Sequence, residues 1–169
     1  MIPPGLLQFR ASERDLREIN STFELVEKAV RLRLRGSPVV GSSFGDFGEG
    51  LYLFTLDADG ARFKIYLGRT NSLSRRMREY TCTFQPHSPN DFKLQALQKY
   101  LADLLPEATL DLHFQRLSAC DLKDAEAKAV KRYSPLMNRR SQASREATQT
   151  LQDAFSSYVR STLEQRMGL

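Results

Sequence analysis

Cysteine and histidine are scarce: the 169 residues hold only Cys82, Cys120, His87 and His113. That scarcity excludes a disulfide scaffold, a Cys-rich zinc ribbon and a His-rich metal centre, each of which needs more such side chains. Long hydrophobic runs are also missing. Nothing approaches the roughly 18 consecutive apolar residues of a membrane-spanning helix, and MIPPGLLQFRASERD at the start lacks the apolar stretch of a signal peptide. These absences predict a cytoplasmic or nucleoid-associated protein with reduced thiols and no membrane partner. Nor is the charge one-sided: 25 Lys and Arg face 20 Asp and Glu, for a net charge of +5. Such mild basicity suits nucleic acid but is shared by many unrelated soluble domains. What is present, 41% hydrophobic and 27% charged residues, describes one soluble globular domain with room for appended helices.

Along the chain, Ser12 and Asp15 resemble a capping box. Leu16, Ile19, Phe23, Val26 and Val30 then recur at helical steps, predicting a packing helix over 12–35. Arg31, Arg33 and Arg35 at its end suit either phosphate or a solvated face. Glycines 41, 45, 48 and 50 are too irregular for a phosphate-cradling loop and read as a linker into a new unit. That unit opens with strands over 51–56 and 62–67, the second placing Phe63, Ile65 and Leu67 on one face and Arg62, Lys64 and Tyr66 on the other. A five-residue turn over 57–61 sets Tyr52 opposite Tyr66; a two-residue turn at Asp59-Gly60 breaks that alignment unless a bulge restores it. A short helix over 71–81 follows, capped by Asn71 or Ser72 with Leu73 and Met77 inward. A polar turn over 84–91, a helix over 91–105, a strand over 109–116 and a helix over 121–133 complete the unit. From Ser141 to about Met167, Ala147, Leu151, Ala154, Phe155, Tyr158 and Leu163 describe a long amphipathic helix. The domain organisation is thus a helical extension and linker over 1–48, a central unit over 49–139 and a C-terminal helix over 140–169 that packs on the unit, a second copy or a protein partner.

Glu126 is the most informative residue. At 100° per residue it falls between Leu122 and Val130, inside the apolar arc of the helix DLKDAEAKAVKRY. A carboxylate so placed costs several kcal/mol unless it is paired, which leaves an ion pair with a nearby arginine or a role as ligand to a hard cation. Residues 62–80 hold Arg62, Lys64, Arg69, Arg75, Arg76 and Arg78 against Glu79 alone. Arg76 and Tyr80 share a helical edge, where a guanidinium can neutralise charge developing on a phosphate. Tyr52 and Tyr66 read equally well as a pair of sheet-packing aromatics.

Together these residues resemble the GIY-YIG endonuclease superfamily over about residues 49–139. Gly50-Leu51-Tyr52 and Tyr66-Leu67-Gly68 look like the two halves of its signature, with Leu in place of Ile in each. Arg76 stands ten residues after the second tyrosine, and Tyr80, four further on, matches the family's nucleotide-excision repair branch. Glu126 and Asn138, twelve apart in EAKAVKRYSPLMN, match the family's Glu and Asn. Two departures stand out: the interval between Tyr52 and Tyr66 is longer than usual, and Arg69 stands where the repair branch has a lysine. Arginine supplies the same charge but cannot shuttle a proton.

The resemblance implies an α+β fold, a small three-stranded antiparallel sheet flanked by helices, with the N- and C-terminal helices as additions. It implies a metal-dependent endonuclease that cleaves a DNA phosphodiester with one Mg²⁺, for which Mn²⁺ substitutes. Tyr66, with Tyr52, would orient or deprotonate the attacking water. Arg76 would clamp the scissile phosphate with support from Tyr80, Glu126 would hold the metal, and Asn138 would stabilise the site or bind the phosphate backbone. Lys64, Arg69 and Arg75, with Arg78, would form a basic DNA-binding surface. Three rivals remain. A PD-(D/E)xK nuclease would use Pro106, Asp111 and Glu126-Ala127-Lys128, but that chemistry wants the E-x-K on a strand and this segment is helical. The others are a catalytically silent nucleic-acid-binding module and an interaction domain working through the terminal helices.

Overall fold

The computed structural model describes residues 2–30, 47–81, 99–100, 103 and 105–138, with positions 153, 157, 160, 161, 164, 167 and 168. Helices α1 (Pro4–Leu7), α2 (Glu13–Thr22), α3 (Leu73–Thr81) and α4 (Leu122–Tyr133) accompany strands β1 (Glu24–Glu27), β2 (Gly50–Ala58), β3 (Ala61–Thr70) and β4 (Thr109–Arg116). The strands form one antiparallel sheet in the order β1-β4-β2-β3. The class is α+β as expected, but among the described residues the sheet has four strands rather than three.

The additional strand corrects the expected helix over 12–35. The Ser12–Asp15 capping box is present in both directions, at 3.1 Å each way, yet α2 stops at Thr22. Phe23 and Val30 are both buried, Phe23 with Leu53 and Leu67 on one side of the sheet and Val30 with Phe54 and Leu112 on the other. One helical face cannot deliver both. The chain therefore crosses the sheet edge as β1, pairing with β4, and the Val30 N–H donates to the Leu110 carbonyl at 2.6 Å. Arg31, Arg33 and Arg35 lie outside the described residues.

Asp59 and Gly60 form the two-residue turn of the β2–β3 hairpin, both at positive φ, with Ala58 opposite Ala61. A bulge at Ile65 shifts the register between the Phe54–Tyr66 and Thr55–Lys64 pairs. That single extra residue reverses every side chain beyond it. Tyr66 consequently joins Phe63 and Ile65 on the face that carries Tyr52, Phe54 and Leu112, while Leu67 moves to the opposite face with Leu51 and Leu53. The clean alternation expected for 62–67 is broken at this point.

Each face is covered by helix. Leu73, Met77 and Tyr80 of α3 bury on the Tyr52 face, together with Leu6 and Phe9 from the N-terminal segment. Leu122, Val130 and Tyr133 of α4 and Ile19 of α2 bury on the other. The outer edge of β3 is closed by two segments. The Lys64 N–H donates to the Phe9 carbonyl at 2.9 Å, and Leu136 and Met137 donate to the Lys64 and Ile65 carbonyls at 3.1 and 2.8 Å. Left-handed Ser134 ends α4, and Pro135 prevents its continuation, which turns residues 136–138 onto that edge.

Strand β4 and helices α3 and α4 fall where expected. Of the helix expected over 91–105, Lys99, Tyr100 and Asp103 are described and helical. The turn over 84–91, the linker glycines 41 and 45, and the apolar seam of the C-terminal helix lie outside the described residues. Asp153, Ser157, Arg160, Ser161, Glu164 and Met167 are helical and exposed. Among the described residues, no helix is long and apolar enough to cross a membrane.

Candidate active site

Strand β2 contributes Tyr52, β3 contributes Tyr66, and α3 contributes Arg76, Glu79 and Tyr80. The i, i+3 and i, i+4 spacing on α3 sets the last three side by side. Arg76 is the hub. Its Nε donates to the Tyr52 hydroxyl at 3.2 Å, Nη2 to the Tyr80 hydroxyl at 3.0 Å and Nη1 to Glu79 Oε2 at 2.7 Å. The two hydroxyls are 3.1 Å apart and hydrogen-bonded, and the guanidinium lies 4.5 Å from the Tyr80 ring centroid. The Tyr66 ring packs 6.0 Å from that of Tyr52.

The two signature glycines are present for close packing. A Cβ at Gly68 would stand 2.5 Å from Cζ and the hydroxyl oxygen of Tyr52, so the ring lies directly over that backbone. A Cβ at Gly50 would fall 2.0 Å from the Gln115 carbonyl oxygen of β4. Both contacts fix where Tyr52 sits.

Exposure separates the members of the cluster. Tyr52 and Tyr80 are each 1% exposed, Tyr66 is 8% exposed, and the Arg76 side chain is 16% exposed. Tyr52 and Tyr80 therefore orient Arg76 from below; the Arg76 side chain keeps some solvent exposure, and Tyr66 is buried close to the surface. Burial, followed by the neighbouring Tyr52, drives the Tyr66 phenol far above its ordinary pKa, with Arg76 opposing. Burial and the other two tyrosines do the same to Tyr80. In the free protein both phenols are neutral. They can donate hydrogen bonds, and a phenolate base is disfavoured.

Glu126 stands on α4 against the β3 edge, near enough for its charge to raise the Tyr66 pKa further. Its Oε2 lies 3.1 Å from Arg69 Nε in an ion pair, and the two side chains are 29% and 46% exposed. It is half-buried, and the arginine partner weighed from the sequence is present. Asn138 follows the α4 turn: its Oδ1 accepts from the Leu67 N–H at 2.9 Å and its Nδ2 donates to the Leu67 carbonyl at 2.7 Å. Its amide thus acts as a further rung on the β3 edge, beside Tyr66.

Arg75 and Arg78 are exposed on α3. Arg75 donates to Asn71 Oδ1 at 2.6 Å and lies 3.7 Å from Glu79. Lys64 does not join this surface. The Ile65 bulge leaves it on the opposite face, buried, with Nζ 3.0 Å from Asp15. Its expected substrate-binding role is therefore corrected to a structural one. Two pairings are not anticipated from the sequence, Glu79 with Arg76 and Asp15 with Lys64. Glu79 was discoverable, being three residues after Arg76 on a helix; Asp15 was not, because its partner lies 49 residues away.

Among the described residues, no group of three or more His, Cys, Asp or Glu side chains is placed together to hold a metal ion. Glu126, half-exposed and anionic, fits a cation that keeps most of its water, as Mg²⁺ does when held by one carboxylate and substrate oxygens. The chain matches no family model, no curated protein and no solved structure.

Proposed function

We propose that the chain is a metal-dependent DNA endonuclease with a GIY-YIG-like, single-metal site. The observation that carries the reading is the fixation of Arg76: two buried phenols and one carboxylate hold a guanidinium whose side chain still reaches solvent. Two residues of α3 and one of β2 converge on this one guanidinium. Such a rigid, planar donor is suited to a phosphate whose charge grows in the transition state.

In this reading Arg76 binds the scissile phosphate, and Tyr66 beside it orients the attacking water through its neutral hydroxyl. Tyr52, Tyr80 and Glu79 position Arg76, and Asn138 holds the β3 edge that carries Tyr66. Glu126 would hold Mg²⁺, which supplies Lewis-acid stabilisation of phosphate oxygens when bound. Exposed Arg69, Arg75 and Arg78 would meet the flanking phosphates, giving DNA affinity that falls steeply with salt. The PD-(D/E)xK alternative gains no support, because Glu126 and Lys128 stand on α4 rather than on a strand.

A catalytically silent nucleic-acid-binding module of the same fold is the second reading, favoured by one observation: Glu126 has an arginine counter-ion in place. Nicking of supercoiled plasmid with and without Mg²⁺, alongside DNA gel shifts, separates the two. The nuclease reading expects metal-dependent cuts that fall by about a hundredfold in Glu126→Gln while DNA binding persists. Shifts without cuts, or near wild-type cutting by Glu126→Gln, would overturn it.

A further inference from the structure

Arg69 and Glu126 face each other across the junction of β3 and α4, and the nuclease reading gives each a different partner. Arg69 belongs to the basic surface that meets phosphate; Glu126 belongs to the cation. In the free protein they neutralise one another at 3.1 Å, both partly in solvent. Such a half-exposed pair is weak and readily exchanged. Resting on that reading, we propose that Arg69 is an exchangeable counter-ion that couples metal binding to DNA binding.

The electrostatics run as a cycle. A divalent cation arriving alone at Glu126 must displace a guanidinium and then sit beside it, so like charge opposes metal binding by the free protein. DNA arriving alone meets an arginine already engaged and a carboxylate that repels phosphate. When both arrive, the cation would be held by Glu126 and phosphate oxygens together, the freed guanidinium would take a further phosphate oxygen, and each charge would face an opposite one. Each ligand therefore tightens the other, and by linkage the enhancement is the same in both directions. No covalent step is involved. The arrangement keeps the site poorly loaded until substrate is present.

Three variants of the full chain test this: Arg69→Gln, which removes the charge, Arg69→Lys, which keeps it, and Glu126→Gln. Mn²⁺ affinity of the DNA-free protein is read from the electron paramagnetic resonance signal of the free ion. Affinity for a short labelled duplex is read by anisotropy with and without Mn²⁺, in a Tyr66→Phe background so that DNA is not consumed. Arg69→Gln is expected to bind Mn²⁺ about tenfold more tightly than the parent without DNA, and to lose most of the enhancement of DNA affinity by Mn²⁺. Arg69→Lys is expected to stay near the parent in both measurements, and Glu126→Gln to lose Mn²⁺ binding. Unchanged Mn²⁺ affinity and unchanged coupling in Arg69→Gln, with wild-type plasmid nicking still metal-dependent, would overturn the coupling and leave the nuclease reading standing. Absence of both Mn²⁺ binding and nicking in the wild type would overturn the two together.

Discussion

The two faces of the sheet both bury charge, and they satisfy it in opposite ways. On the face covered by α2 and α4, carboxylates meet cations. Asp15 accepts from Lys64 at 3.0 Å and from Arg132 at 3.1 Å, and Arg132 also pairs with Glu18. Arg62 binds Asp57 at 2.7 Å and lies 3.6 Å from Asp111. Burial alone would raise the Asp15 pKa, but the Lys64 hydrogen bond and the Ser12 backbone N–H outweigh it and hold it at about 2. On the face covered by α3, Glu79 pairs with both Arg75 and Arg76, and the Tyr52 and Tyr80 hydroxyls also accept from Arg76. The first network ties α2, α4 and the sheet together through paired charges, whereas the second fixes one guanidinium between a carboxylate and two phenols.

The sharpest way to break that comparison is to exchange a cation on each face for a neutral residue. Arg76→Ala should lower plasmid cleavage by about a thousandfold, near the upper range for losing one main electrostatic element of a site. It should also weaken DNA binding. Lys64→Met should leave cleavage by the folded protein within about twofold, yet cost about 3 kcal/mol of stability in urea, because it strips a partner from buried Asp15. Equal effects of the two changes on cleavage would erase the distinction between the faces.

Acid should act first on the face covered by α2 and α4. Burial, then Arg62, depress the His113 pKa from 6.5 to about 4, with Asp57 opposing. The side chain is buried, Nε2 is 2.9 Å from Thr55 Oγ1, and Nδ1 has no partner. Because the folded pKa lies below the unfolded one, the stability associated with neutral His113 is complete above pH 6.5. It is lost as pH falls through about 4, by about 3 kcal/mol in all. Urea midpoints measured between pH 7 and pH 4 should show this slope, and His113→Gln should flatten it; an unchanged slope in the variant would assign it elsewhere.

Gly68→Ala probes the other face. The added methyl must displace the Tyr52 ring, which it would approach to 2.5 Å, so about 2 kcal/mol of stability should be lost. Cleavage should fall more than that loss explains, since Arg76 loses its alignment; a change in stability alone would mean that Tyr52 does not position Arg76. The smallest effect is expected from Asn138→Ala. It removes two hydrogen bonds to Leu67, worth about 1.5 kcal/mol together, and should speed amide hydrogen exchange at Leu67.

Much of this was legible in the chain. The Ser12–Asp15 box, β4, α3 and α4 depend on neighbours a few residues apart, whose chemistry can be read directly, whereas the choice between a five-residue and a two-residue hairpin turn stayed open. Arg76 and Tyr80 were legible for the same reason, being one helical turn apart. The end of α2 was not, because Phe23, Val26 and Val30 keep helical spacing while serving two sides of a sheet edge. Lys64 was misplaced by the Ile65 bulge, which leaves no mark in the residues around it.

The α+β class, the hairpin and the helices either side of the tyrosines can be read from the chain alone. These follow from short-range periodicity, capping and turn chemistry. Only the tertiary structure decided the strand parity, the fourth strand, the burial of Lys64 against Asp15, and the pairing of Arg69 with Glu126. Each of those depends on register and on partners tens of residues away, where one inserted residue moves a side chain to the opposite face of the sheet.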